Sequence, residues 1–183
     1  MTIVPDKFRM DFFATFRREF RGIRDLRGEG VFMVFLARLC ENRGLWKRIL
    51  NVPYLFMARR RGIEIASFDN IGGGLVLAHG YGITVNKNAR IGHHVILSKG
   101  CTIGGIGSGR RAGLPVIGNY VVVGINATVV GGVKIGNNVR IAPNAFVNFD
   151  VPDNSLVIGN PGVVHHKIGA VEDNFPERLF PRQ

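Results

Sequence analysis

The sequence predicts a mainly β protein: a parallel β-helix of hexapeptide repeats, preceded by a short α-helical N-terminal region. Three observations predict it. First, position 85 and every sixth residue after it read Val85, Ile91, Leu97 and Ile103, and the series resumes as Ile117, Val123, Val129, Ile135, Ile141 and Val147. Second, the residue two before a slot is small or β-branched, as in Ala89, Val95, Cys101, Val121, Ala127, Val133, Val139 and Ala145. Third, glycine follows the slot at Gly92, Gly104, Gly118, Gly124 and Gly136. A six-residue period with an inward aliphatic, a small corner residue and a Gly or Asn turn describes stacked coils, each face one short strand, burying one aliphatic column. Gly and Asn suit the turns because positive φ costs them little.

The elements follow in order. Residues 1–62 read as helical: Phe8, Phe12, Phe13, Phe16 and Phe20 recur at spacings of three and four, with Arg17, Arg18, Arg21 and Arg24 between them. Gly28 and Gly30 break that segment. A second helix is predicted from Val31 to Glu41 and a third from Leu45 to Arg61, with Pro53 as a possible kink. Residues 63–168 carry the β-helix. Within it, Ile103 and Ile117 are separated by two periods plus two residues, so 104–116 is expected to leave the coil as a loop. Long excursions from a rigid scaffold commonly carry function. Residues 169–183 are left as a tail.

Composition narrows the class. A chain of 183 residues that is 46% hydrophobic and 20% charged, with mean hydropathy +0.14, has the means to bury a core and is not a disordered protein. Cys40 and Cys101 are too few and too distant for a disulfide framework or a cysteine zinc site, so a reducing cytosol is expected. Charges at Asp6, Lys7, Arg9 and Asp11 argue against a secretory leader. The apolar run 31–37 is far shorter than the roughly 20 residues of a spanning helix. Of the net charge of +11, residues 1–62 hold +8. That basic segment is interleaved with phenylalanines at helical spacing, which suits an anionic membrane face better than a base-reading module. Cytoplasmic localisation, with peripheral contact at the inner membrane face through residues 1–62 and no nucleic-acid partner, is the expectation.

The hexad array, the glycine-rich loop and the closing segment 150–162 (DVPDNSLVIGNPG) resemble the hexapeptide-repeat acyltransferases, and within them the serine acetyltransferase group. The likeness covers roughly residues 63–168. Segment 77–85 (LAHGYGITV) is similar to the group's catalytic-histidine segment, and 101–107 (CTIGGIG) to its coenzyme A-binding turn. The resemblance implies a left-handed β-helix, a homotrimer and acetyl-CoA as donor. It also implies that His79 is the catalytic base, that Glu64, 15 residues earlier, orients it, and that Gly104, Gly105, Gly124 and Ile125 contact the pantetheine arm through their backbone. Arg140 and Pro143 match positions further along the same groove.

The residues support His79 independently. Transfer of an acetyl group to a hydroxyl needs a base near neutrality, and histidine suits it. Position 79 is in phase with the aliphatic slots, where a polar side chain is anomalous, and Ala78 and Gly80 on either side leave room for a substrate. No cysteine or serine is placed as an acyl carrier, Cys101 being a corner residue facing the coil, so direct transfer is expected. His93 and His94 fall in a turn where polar residues are ordinary, and an adjacent pair cannot both face one side of a strand, so no metal site is predicted. At Ala78, Ala112, Gly113 and Leu114, where serine acetyltransferases carry polar groups, this chain has none. That departure points to an O-acetyltransferase acting on a saccharide or surface-polysaccharide precursor, with serine acetyltransferase as the alternative and a non-catalytic scaffold or membrane adaptor as the reading from another class.

Overall fold

The computed structural model describes Val34 and residues 44–65 and 67–175. The phenylalanine stripe of residues 8–20 and the predicted helix 31–41, Val34 apart, lie outside the described residues. The third predicted helix is present as α1 (Gly44–Arg61), and it runs through Pro53. Its Tyr54 and Ala58, four apart and so on one face, are buried against the first coil. The Tyr54 hydroxyl donates to the Ile65 carbonyl at 2.9 Å and its ring meets Phe68 edge-on at 5.9 Å. Helix α1 thereby covers apolar residues of the first coil that no preceding coil shields.

Among the described residues fourteen strands follow, two to four residues each. The first face of the solenoid stacks β1 (Glu64–Ile65), β3 (Thr84–Val85), β6 (Thr102–Gly104), β9 (Thr128–Val130) and β12 (Phe146–Val147). The second stacks β4 (Arg90–Ile91), β7 (Val116–Ile117) and β10 (Lys134–Ile135), extended by the bridges Ile71–Ile91 and Ile135–Val151. The third stacks β2 (Val76–Ala78), β5 (Ile96–Ser98), β8 (Val121–Val123), β11 (Val139–Ile141), β13 (Ser155–Ile158) and β14 (Val163–His166). Every pairing is parallel except β13 with β14, which closes the last coil as a hairpin.

All ten aliphatic slots are 0–4% exposed, and the eight small positions two residues earlier are 0–2% exposed. Both series face inward because alternate residues of a strand share a face. The glycines after the slots have a steric cause. A Cβ on Gly118 would lie 2.6 Å from the Gly136 carbonyl oxygen of the next coil, and one on Gly92 would lie 2.5 Å from that of Gly118.

The corner between the second and third faces is built from His94, Tyr120, Asn138 and Asn154, all at φ of 54–55°. The residue before each of them caps its neighbour coil. Asn119 Oδ1 accepts from the His93 N–H at 2.8 Å, Asn137 Oδ1 from Asn119 at 2.9 Å, and Asp153 Oδ1 from Asn137 at 2.7 Å. His93 continues the ladder by accepting the Gly73 N–H on Nδ1 at 3.1 Å, and His94 stacks on Tyr120 at 5.1 Å. Both histidines therefore serve the turn, as their position suggested.

The described part of the tail packs back onto the solenoid. Ala170, Val171 and Phe175 are buried on the outside of the third face, over Val76, Ile96 and Val122, with a short 3₁₀ turn at Glu172–Asn174. Those three outward valine and isoleucine side chains are apolar, and the tail removes them from water.

Candidate active site

The histidine at position 79 is not an inward slot residue. Leu77 occupies that slot, paired with Leu97 and 5% exposed, whereas His79 is exposed at the corner between the third and first faces. The reason is an insertion. Three residues lie between Ser98 and Thr102, but five lie between their partners Ala78 and Thr84, so hexad phase does not carry across this corner. The two extra residues form a bulge in which His79 and Tyr81 are exposed while Gly80 stays buried against Ile63 and Leu77. The bulge is held below by the Gly82 N–H donating to the Arg61 carbonyl at 2.8 Å, and above by Lys99 and Gly100 donating to Ala78 and Tyr81 at 3.0 and 2.8 Å. His79 itself sits at φ 53°, a region that non-glycine residues seldom enter.

Glu64 lies on β1, exposed, and its N–H donates to the Ile83 carbonyl at the end of the bulge, 2.8 Å away. The backbones of the two candidate residues are thus adjacent. Among the described residues neither side chain makes a hydrogen bond or ion pair, so the expected Glu64–His79 contact is absent in this conformation. Glu64 instead lines a cavity of about 410 Å³ under α1, together with Tyr54, Thr84, Asn86 and Gly104.

The loop leaves the coil at the opposite edge of the first face, between β6 and β7. It folds back as a hairpin: Ile106 and Gly113 exchange hydrogen bonds at 3.0 and 2.9 Å. The Arg111 carbonyl accepts from Gly132, and the Arg111 guanidinium lies 3.7 Å from Asp150. Leu114 packs so close to Gly105 that a Cβ there would lie 2.8 Å from it, while Gly107 and Gly109 have open space around them.

The residues matched to coenzyme A divide. Ile125 and Pro143 are exposed on the same corner column as His79, since Ala78, Ser98, Gly124 and Ala142 are successive partners. The backbone donor expected of Gly124 is already committed to the Ile141 carbonyl at 2.9 Å. What its lack of a side chain secures is coil spacing, because a Cβ would lie 2.7 Å from that same oxygen. Gly104, on the first face, accepts from Gly131 at 3.2 Å. Arg140 is held by the tail. Its Nε donates to the Ala170 carbonyl at 2.6 Å, and its terminal nitrogen reaches Asn174 and approaches Asp173, so the tail occupies this side chain. The coil alignment could not reveal this, because the tail lies outside the repeat.

Cys101 is fully buried and faces the coil interior, as its corner position implied. Burial pushes its thiol from 9.0 up to about 12, which keeps it protonated near neutrality and removes it as an acyl carrier. The sign of the linkage follows. Above pH 9 the unfolded chain releases this proton and the folded chain retains it, so the folded state loses stability as pH rises, by up to about 1.4 kcal/mol per pH unit. Urea midpoints of the protein and of Cys101→Ala, compared at pH 8 and pH 10, are expected to show a steeper alkaline decline with the cysteine present; parallel declines would refute the assignment.

The three stacked faces and the ejected loop define a hexapeptide-repeat solenoid. The comparisons with known proteins agree. The family described as bacterial transferase hexapeptide (six repeats) matches residues 115–148. The serine acetyltransferase of Synechococcus elongatus is 34% identical over 155 residues, which are 80% of this chain and 63% of that relative. That of Staphylococcus aureus is 37% identical over 121 residues, 66% of this chain and 57% of the relative. Among solved structures, Neisseria gonorrhoeae serine acetyltransferase superposes with a TM-score of 0.62 at 27% identity, covering 79% of this chain and 58% of that one. Soybean serine acetyltransferase complexed with serine gives 0.59 at 26% identity, covering 76% and 58%. The chain is similar to the hexapeptide-repeat acyltransferases, in their serine acetyltransferase-like group, and its parallel solenoid is consistent with the left-handed β-helix of hexapeptide repeats. It spans less than two thirds of the length of these relatives. The saccharide acceptor drawn from Ala78, Ala112, Gly113 and Leu114 is overturned: the relatives of 34–41% identity are serine acetyltransferases, and so are the structural neighbours. Loss of polar groups at four positions shows that those contacts are missing, and does not by itself identify a different acceptor.

Proposed function

We propose that this protein is a serine O-acetyltransferase that uses acetyl-CoA as donor, with residues 63–168 as its transferase domain. The observation that carries the reading is 34% identity to a serine acetyltransferase across 80% of the chain. The geometry supports His79 as the base. It is exposed, it takes no part in the coil's hydrogen-bond ladders, and its corner is the one enlarged by two residues relative to the coil above. Acetyl-CoA supplies an activated thioester. His79 accepts the proton of the serine hydroxyl as that oxygen attacks, and then returns it to the departing thiolate. This is direct transfer, consistent with the protonated, buried Cys101. Glu64 orients the imidazole after a side-chain rotation from its position in this conformation. Ile125 and Pro143, exposed on the column above His79, line the path of the donor.

A homotrimer, implied by the family likeness, belongs to the same proposal. So does peripheral membrane contact through residues 1–62, for which Val52, Leu55 and Phe56, exposed on α1 beside Arg59 and Arg60, offer an apolar and basic surface. No helix among the described residues is long and apolar enough to cross a membrane. The test is thiol release from acetyl-CoA with L-serine, followed by identification of O-acetylserine by mass. Acetylated serine is the expected product; no product at millimolar serine would overturn the proposal.

A further inference from the structure

One cavity enters the proposed reaction only through Glu64. It lies between α1 and the first face, with a volume of about 410 Å³, and its lining includes Tyr54, Leu55 and Ala58 of α1 and Glu64, Thr84 and Asn86 of the coil. Strand alternation fixes which way the coil residues point. Ile65 and Val85 are buried in the core, so Glu64 and its register partner Thr84 face outward, on the cavity's side. The α1 wall is preformed. The Tyr54 hydroxyl donates to the Ile65 carbonyl at 2.9 Å, its ring meets Phe68, and Tyr54 and Ala58 are buried. A ligand entering here therefore meets a surface that needs no reordering.

The chemistry of the lining is one-sided. Tyr54, Leu55 and Ala58 contribute apolar surface, and Glu64 is the single charged residue of the lining. It is exposed, and among the described residues its carboxylate has no hydrogen-bond or ion-pair partner. An ionised carboxylate accepts and never donates, and the hydroxyl of Thr84 beside it is a further acceptor. An ammonium, with three donors and one positive charge, is the group that suits both. An acid, or the phosphates of a nucleotide-bearing donor, would meet a like charge here and no cation. Size narrows the rest of the molecule: a cavity of roughly 150 Å³ admits benzene, so this one has room for a phenylalkyl body.

We propose that this cavity binds a small primary amine with an apolar body, the ammonium on Glu64 and the body against α1. The site stands independently of the acceptor. Its consequence for activity rests on the serine acetyltransferase reading and on the role given there to Glu64. An occupied cavity keeps that carboxylate where it now lies and off His79, so the ligand inhibits transfer. Helix α1 thereby becomes the wall of a control site as well as a cover for the first coil.

Calorimetric titration of the full chain with phenethylamine, with its uncharged isostere phenethyl alcohol and with phenylacetate tests the site. The amine is expected to bind roughly two- to fivefold more tightly than the alcohol, the scale of an ion pair with an exposed carboxylate. Phenylacetate is expected to bind more weakly than either. Glu64→Gln should bring the amine down to the level of the alcohol and leave the alcohol unchanged. Leu55→Lys, at a half-exposed position of the α1 wall, adds a competing ammonium beside Glu64 and should weaken the amine more than the alcohol. No binding of amine or alcohol at millimolar probe would overturn the site, and so would an amine preference that survives Glu64→Gln. Inhibition is read separately, as loss of thiol release from acetyl-CoA and L-serine when the amine is added. A bound amine that leaves turnover unchanged would overturn the inhibitory role and keep the site. If the unmodified protein acetylates no serine, the serine reading fails while the calorimetry still decides the site.

Discussion

Replacing His79 with asparagine is expected to lower kcat/KM for acetyl transfer by about 10²–10⁴-fold while leaving the fold in place. Asparagine is the informative substitution because position 79 has φ 53°. Alanine there would combine loss of the base with backbone strain, whereas asparagine tolerates the left-handed region and cannot take the proton. The side chain is exposed and supports no ladder, so a thermal midpoint within a few degrees of the unmodified protein is expected. Full turnover by a folded His79→Asn protein would remove His79 from the mechanism.

The largest stability effect is expected at Gly118. A Cβ there would lie 2.6 Å from the Gly136 carbonyl oxygen and 2.9 Å from Asn137 Oδ1, both parts of the neighbouring coil. The backbone cannot yield locally, because the Gly118 N–H donates to the Ile135 carbonyl at 2.9 Å, and moving either coil strains that stack. Gly118→Val should therefore cost about 3 kcal/mol or more and yield little folded protein. The matched control is Gly107→Val at the open tip of the loop, where no atom lies within 4 Å of the added Cβ. That change is expected within about 0.5 kcal/mol of the parent. Denaturation midpoints for the pair decide the matter: equal stability of the two variants would mean that coils do not stack at this edge as described.

The outcome at each candidate residue follows how far its environment is set by the repeat. His93 and His94 were readable as turn residues because the hexad places them, and the ladder through Asn119, Asn137 and Asp153 gives the reason. The reading of His79 as a polar residue in an aliphatic slot does not hold, because Leu77 fills that slot. Counting back six from Val85 crosses the enlarged corner, and phase is conserved only along coils of equal length. Arg140 aligned with a groove position, yet its partners Ala170 and Asn174 are 30 and 34 residues away in a segment without periodicity.

By itself the sequence determined the solenoid, the inward columns, the glycine edge and the ejected loop. Each follows from a local rule repeated every six residues, and stacking only multiplies that rule. Tertiary structure alone decided which side of the corner His79 occupies, that Glu64 lies beside the bulge without touching the imidazole, and that the tail covers the third face and holds Arg140. Those features depend on a two-residue difference between stacked turns and on contacts between segments outside the repeat. No periodic pattern encodes either, because their energies arise where distant parts of the chain meet.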